Sequence, residues 1–355
     1  MDDLIYFSES EQVEASFENR FGSKIKISFN GQAHHFLGLT IDVTRSPSNT
    51  VSIHLSQQAF IDSLLDEYNY NSLAVNSTPT PYKSGLPIDS IPPTSYPPHQ
   101  QATLTNEYQH IVGSFQWLAV STRPDIATVT NILAKYLSKP TTGHLNHCKH
   151  VLRYLKGTID KGISFSTNRN TTLSSFVHFP LNESTLTGLA DANWGPQDQS
   201  INTTSYNVPI FHSRSMSGYI QWLNGPLHWT SKRQTITARS TAEAEIYATD
   251  ECTKNILHIR NILEDLHLLS TFCPQSTPIY NDNNACVLWS SNMTTKGLRH
   301  IQIRENAVRE SIQNKTIGVH HIAGSINISD LFTKEDKYTK HFISLRDVIM
   351  SDRPL

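Results

Sequence analysis

From about residue 182 onward the sequence predicts a mixed α/β unit: a five-stranded sheet with helices packed on it. Two observations carry that expectation. The first is the order of patterned stretches. Strand-like runs at 185–191, 216–223 and 227–231 precede a long helical pattern at 240–266. A strand at 278–282, helices at 284–290 and 301–313, a strand at 316–322 and a helix at 328–334 follow. Three strands, a helix, a strand, helices, a strand and a helix make a mixed sheet with helices on it. The second is the long helix. Ala248, Cys252, Ile256, Ile259, Leu263 and Leu266 fall three or four apart and form one apolar stripe. Ser240 or Thr241 suits the N-cap, and Glu243 and Glu245 occupy the first turn, where a helix dipole favours anions.

Upstream, the chain reads as a sheet fragment followed by helices. Residues 1–7 pattern as a strand, with Asp2 and Asp3 at its very beginning, as if cut from something longer. Val13, Phe17 and Phe21 have helical spacing. Residues 35–43 and 51–55 alternate and pair as a hairpin across a Pro/Ser/Asn turn, and 57–68 is an amphipathic helix. Residues 79–101 turn to Pro, Ser, Thr and Tyr, an extended connector. Helical patterns resume at 107–120, 124–137 and 144–156. The last of them, with Lys149, Arg153 and Lys156 near Lys135 and Lys139, is the most basic part of the chain and could follow a phosphate backbone or merely be solvated. Residues 168–182 pattern as a strand and loop, and 195–207 as a polar insertion.

Composition narrows the function classes. With 355 residues and 37% hydrophobic content the chain suits two or three globular domains. A net charge of -2 excludes an overall basic glove for nucleic acid but leaves room for a local basic groove. The four cysteines form no C-x-x-C pair, and the 17 histidines no H-E-x-x-H spacing, so neither a disulfide framework nor a zinc site is indicated. No apolar run is long enough to span a bilayer.

Four acids share an unusual placement. Asp191 and Asp282 end strands, Glu245 opens the long helix and Asp330 opens the last one. Carboxyl ends of strands and the neighbouring helix termini face one crevice in an α/β sheet. At 100° per residue Glu245 projects with Ala248 and Cys252, whereas Glu243 points almost oppositely. Carboxylates gathered there repel unless cations separate them, and an all-oxygen set selects Mg²⁺ or Mn²⁺. Each acid also has a plain structural explanation. Asp282 could cap the next helix, Asp330 stands at capping-box distance from Asn327, Asp191 could end a strand at an ordinary loop, and Glu245 could serve the helix dipole.

The runs Ala190-Asp191-Ala192-Asn193-Trp194, Met216-Ser217-Gly218-Tyr219 and His228-Trp229-Thr230-Ser231-Lys232-Arg233-Gln234 come first. Thr241-Ala242-Glu243-Ala244-Glu245-Ile246-Tyr247-Ala248, Asn281-Asp282-Asn283-Asn284-Ala285 and Asn327-Ile328-Ser329-Asp330-Leu331-Phe332-Thr333-Lys334 follow in order. Together they resemble the ribonuclease H domain of copia-type LTR retrotransposon Pol polyproteins. Upstream, Phe36-Leu37-Gly38-Leu39-Thr40-Ile41, Leu55-Ser56-Gln57 and Thr78-Pro79-Thr80-Pro81 resemble the end of the same proteins' reverse transcriptase. Arg123-Pro124-Asp125-Ile126 and Leu152-Arg153-Tyr154-Leu155-Lys156-Gly157-Thr158 look like its thumb and connection, and Met1-Asp2-Asp3 like the tail of its Tyr-x-Asp-Asp motif without the Tyr.

The resemblance implies a C-terminal Pol fragment. Its expected parts are a truncated reverse transcriptase palm (1–75), a Pro-rich linker with helical thumb and connection (76–170), a ribonuclease H-like domain (182–335) and a C-terminal helix and tail (336–355). The implied activity is endonucleolytic cleavage of RNA in RNA–DNA hybrids. Two Mg²⁺ or Mn²⁺ ions on Asp191, Glu245, Asp282 and Asp330 would support it, leaving 3′-hydroxyl and 5′-phosphate ends. Lys232, Arg233 and Gln234, between the strand and the long helix, are candidate nucleic-acid contacts because they adjoin the proposed site in sequence; Arg299 and His300, which stand where the family carries Lys-His-Ile, are implied as contacts too. Implied partners are retroelement RNA and cDNA and other parts of Pol, with no membrane. The implied setting is a cytoplasmic virus-like particle or the nucleus. The alternative is a catalytically inactive retroelement remnant that folds and binds nucleic acid. Polymerase activity ranks below both, since fingers and most of the palm would lie before Met1.

Overall fold

The computed structural model of the chain describes residues 4–8, 10–47, 50–83, 88, 91, 92, 94–166, 184–194, 214–291, 302–335 and 338–354. Helix α1 (Glu11–Gly22) starts where the Ser10 hydroxyl accepts from the Val13 amide. Strands β2 (Leu39–Arg45) and β3 (Val51–Ser56) pair as the alternation predicts, but the expected 35–43 strand is broken at Leu37 and Gly38, both at positive φ, and β1 (His35–Phe36) folds back antiparallel on β2. Helix α2 (Gln58–Glu67) buries Ile61, Leu64 and Leu65, the stripe its spacing marks. Helix α3 (Pro98–Ser121) begins well before residue 107, inside the stretch expected to be extended. The reason is local: Pro98 sits in the first turn, where its fixed φ suits a helix and its missing N–H costs nothing.

A 3-10 turn (Pro124–Ile126), α4 (Ala127–Ala134) and α5 (Thr142–Lys156) complete a helical layer, and β4 (Lys161–Ser166) leaves it. A buried ion pair pins these pieces. Arg123 Nη2 lies 2.8 Å from Asp125 Oδ2, Tyr154 donates to the same oxygen at 2.6 Å, and Arg123 Nη1 donates to the Thr158 carbonyl at 3.0 Å. Asp125→Ala would leave the guanidinium buried without a counter-charge. It is expected to lower stability by about 3–5 kcal/mol, read by urea denaturation.

The basic helix does not present all its cations to solvent. Arg153 Nε donates to the Asn76 carbonyl at 2.7 Å, and Lys156 Nζ to the Ser72 and Val75 carbonyls at 2.7 and 2.9 Å. They tie down the 72–76 loop, which lacks a ladder for its own backbone acceptors, so two of the cations expected to track phosphate serve as struts. His147 on the same helix is buried, and burial lowers its pKa to about 4 from 6.5. An imidazole kept neutral in the fold but protonated in the unfolded chain removes stability as pH falls from 6.5 towards 4. His147→Asn should flatten the acid limb of a stability–pH curve over that window.

The second sheet is built from β5 (Thr187–Asn193), β6 (Met216–Trp222), β7 (Pro226–Arg233), β8 (Thr277–Asn281) and β9 (Ile317–His321). Its order is β7-β6-β5-β8-β9. The first three strands are antiparallel, and β8 and β9 join parallel to β5. Helix α6 (Thr241–Asp265) crosses from β7 to the far half of the sheet, followed by α7 (Leu269–Phe272), α8 (Asn284–Ser291) and α9 (Gln302–Gln313). Strands β5 and β6 are buried along almost their whole length, since both faces are covered. On one face Ala190, Ala192 and Ile279 pack with Ala248, Cys252 and Ile256 of α6. On the other, Leu189, Ile220 and Trp222 join a core dominated by α2–α5.

The last segment is more than a tail. A 3-10 helix (Ile328–Phe332) is followed by α10 (Thr339–Ile349) and β10 (Met350–Asp352), and β10 adds to β4. The first sheet therefore runs β1-β2-β3-β4-β10 and draws strands from residues 35–56, 161–166 and 350–352. The β1–β3 strands, from residues 35–56, are completed into a five-stranded sheet by β4 and β10. Arg353 clamps the return with Nε and Nη2 at 2.8 and 3.0 Å from the Asp42 carboxylate. No helix among the described residues is long and apolar enough to cross a membrane.

Candidate metal centre

Asp191 lies near the end of β5, and Asp282 follows directly on Asn281, the last residue of β8. Because β5 and β8 are parallel neighbours, with Gly188 opposite Ile279 and Leu189 opposite Tyr280, both acids emerge at one edge. Glu245 reaches that edge from the start of α6, which Ser240 opens by accepting the Glu243 amide. One oxygen of each of Asp191, Glu245 and Asp282 lies within 4.8 Å of the others. Asp191 and Glu245 are 1% and 5% exposed, so water cannot screen them freely.

Buried like charges at that spacing are unfavourable, and the protonation equilibria respond. Burial, and then the Asp191 charge, push the Glu245 carboxyl well above the usual carboxylate range. The same two causes raise Asp282 and Asp330. The Asn281 amide answers part of the problem by donating to Glu245 Oε2 at 2.9 Å. A hard divalent cation would answer the rest: three close carboxylate oxygens are the donor set Mg²⁺ and Mn²⁺ favour. The residues fit such an ion.

The plain structural explanations for two of the acids fail. Asn283, not Asp282, caps α8, its Oδ1 accepting from the Cys286 amide at 3.1 Å. Asn327 caps the 3-10 helix, while the Asp330 carboxylate turns to Lys334 Nζ at 2.8 Å. Asp330 is not in the close group of three; it stands beside it, and Lys334 reaches from Asp330 to within 3.5 Å of Asp191 Oδ2. Against the opposing pull of burial, the Asp191 and Asp330 charges raise the Lys334 pKa and keep it protonated. Glu243 is also buried, because its carboxylate accepts from the Arg239 amide at 2.6 Å and closes the helix entry. Both glutamates are covered, but only Glu245 stands in the close group of acids.

Gly218 explains how the Asp330 segment gets so close. It pairs with Asp191 across β5 and β6, and a Cβ there would lie 2.6 Å from both Phe332 Cβ and Thr333 Cγ2. Without a side chain the 328–333 segment lies on the strand, and the Thr333 hydroxyl donates to Asp191 Oδ2. Gly218→Ala is expected to cost about 1–3 kcal/mol and to weaken divalent-ion binding, measured by thermal unfolding and Mn²⁺ titration.

The expected nucleic-acid contacts divide. Lys232 is exposed and Arg233 partly so, at the end of β7 beside the site. Gln234 is corrected: it is 2% exposed, and its amide donates to Ser217 Oγ and the Ala244 carbonyl, both at 2.9 Å. It joins β6 to α6 and positions the Glu245 turn. Arg299, His300, Asp2 and Asp3 lie outside the described residues. Asn281, Asn327, Thr333 and Lys334 also support the site, in roles that the sequence does not reveal. Asn281 and Asn327 both donate to the Ala190 carbonyl, at 3.3 and 3.2 Å, which fixes the backbone next to Asp191. A buried Asn one residue before an acid, and a Lys four after one, were the available signals.

An antiparallel trio with two parallel strands added at β5, a helix crossing it and carboxylates at the β5–β8 edge define a ribonuclease H-like fold. Relatives narrow this further. The chain is similar over most of its length to copia-type retrotransposon Pol polyproteins. It is 27% identical over 336 residues to the Retrovirus-related Pol polyprotein from transposon RE1 of Arabidopsis thaliana, covering 94% of this chain and 20% of that protein. To the corresponding RE2 polyprotein of the same plant it is 29% identical over 303 residues, covering 85% and 18%. The chain thus spans about a fifth of the length of these relatives. No protein-family model matches. Among solved structures, LC11-RNase H1 in complex with an RNA/DNA hybrid aligns at 12% identity and a TM-score of 0.28, over 42% of this chain and 94% of that one.

Proposed function

We propose that the chain is a divalent-metal-dependent nuclease that cuts the RNA strand of RNA–DNA hybrids. The observation that carries this reading is the convergence of Asp191, Glu245 and Asp282 oxygens within 4.8 Å on a ribonuclease H-like sheet, with Asp330 alongside. These four acids would hold the ions. When bound, Mg²⁺ or Mn²⁺ supplies an activated water and neutralises the departing oxygen. The chain's own residues do the rest. Asn281 orients Glu245, Asn327 and Asn281 hold the Ala190 carbonyl, and Thr333 and Lys334 fix Asp191. Lys232 and Arg233, at the end of β7, would offer their cations to a phosphate backbone. Contacts to 2′-hydroxyls would select RNA over DNA. The partners that go with this role are retroelement RNA, its cDNA and other parts of Pol.

The test is a panel of labelled duplexes with matched sequence, incubated with the chain and Mg²⁺. Only the RNA strand of the hybrid should be cut, leaving 3′-hydroxyl and 5′-phosphate ends. Equal cutting of double-stranded DNA, or of both hybrid strands, would set this reading aside.

A further inference from the structure

Lys334 is the one cation in contact with the acids of the centre among the described ion pairs. Its ammonium lies 2.8 Å from Asp330 Oδ1 and 3.5 Å from Asp191 Oδ2. That is where a cation shared by these two carboxylates would sit. The close group of oxygens consists of Asp191, Glu245 and Asp282 and leaves Asp330 out, so the centre has two unequal halves. The backbone around Lys334 is held on both sides: the Tyr82 hydroxyl donates to the Lys334 carbonyl at 3.4 Å and the Asn193 amide to the Thr333 carbonyl at 3.5 Å. The side chain itself is 41% exposed, so the ammonium can swing to solvent or to a phosphate without moving the fold.

Building on the metal-centre reading, we infer that Lys334 is the resident cation of the Asp330 half. In the absence of nucleic acid the chain takes one divalent ion, on Asp191, Glu245 and Asp282, and the ammonium excludes a second. A substrate phosphate, by drawing Lys334 away, opens the Asp191–Asp330 half to the other ion. Ion loading is thereby tied to substrate binding.

The experiment is Mn²⁺ titration of the full chain without nucleic acid, followed by electron paramagnetic resonance and calorimetry. The unmodified chain should bind a single ion. Lys334→Met, which keeps length and removes charge, should bind two and hold the first roughly tenfold more tightly, because a nearby positive charge is gone. Lys334→Arg should bind one, and adding Asp330→Asn to Lys334→Met should return the count to one. Thermal unfolding of each variant checks that the counts refer to folded protein, and the Met and Arg variants serve as alternatives to each other. Two ions on the unmodified chain, or one on Lys334→Met, would overturn the inference while leaving the metal centre intact, provided Asp191→Asn loses the ion. No ion on the unmodified chain would overturn both.

Discussion

Asp191→Asn is expected to abolish hybrid cleavage while hybrid binding and folding survive. Asp191 belongs to the close group of carboxylates, and it is the acid that Thr333 and Lys334 both contact. Asparagine keeps its volume and can still accept the Thr333 hydroxyl, so the 328–333 segment should stay seated. What is lost is the charge that would hold the ions, worth ~4 kcal/mol of transition-state stabilisation or on the order of a thousandfold in rate. Metal-free, the variant should melt higher than the unmodified chain, because a repulsive neighbour of Glu245 and Asp282 has gone. Glu243→Gln is the matched control. Among the described residues its carboxylate accepts from the Arg239 amide alone, in the helix entry, a bond glutamine can also make, so activity should stay within about threefold. Equal loss from both substitutions, measured as single-turnover rates, would mean that the two glutamates have been assigned the wrong tasks.

The second large effect concerns dissection of the chain. Residues 184–335 carry the whole second sheet and its four acids, yet they should not fold to a stable unit alone. Leu189, Ile220, Trp222, Leu331 and Phe332 are all at most 2% exposed, and they belong to the same core cluster as Ile111, Phe115, Val129 and Leu133 of the upstream helices. Polar ties follow the same seam: Trp229 Nε1 donates to the Ala119 carbonyl at 2.7 Å and Thr128 Oγ1 to the Leu331 carbonyl at 2.5 Å. Baring such side chains costs roughly 1.5–3 kcal/mol each, together comparable with the ~5–15 kcal/mol that holds a domain. The fragment is therefore expected to aggregate or to bind hydrophobic dye, where the full chain unfolds cooperatively. A sharp, reversible melt of residues 184–335 close to that of the full chain would contradict this seam. The same contacts explain why Asp330 depends on residues far upstream, since the 3-10 helix that carries it is seated in the upstream core.

Much of the centre was legible because it is written in short-range pattern. The succession of strands and helices along the chain follows from apolar runs, and the choice of Glu245 over Glu243 from the angle between them on α6. Asp191 and Asp282 could be placed at one edge because neighbouring parallel strands end together. What escaped depends on contacts between distant residues. Nothing near Gln234 in sequence says that its amide is taken by Ser217 and Ala244. Arg153 and Lys156 look like a basic face until the 72–76 carbonyls arrive to use them. Strand β10 is three residues long, too short for alternation to register, and exists because β4 offers it an edge. The Lys334–Asp330 pair was the nearest miss, since its four-residue spacing was visible but its reach to Asp191 was not.

The most direct test of the central claim is divalent-ion dependence of cleavage by the unmodified chain. A hybrid with its RNA strand end-labelled should remain whole in chelator, be cut when Mg²⁺ or Mn²⁺ is added, and be protected again when chelator returns. Intact RNA at every Mg²⁺ and Mn²⁺ concentration, with the chain shown by its melt to be folded, would contradict the account.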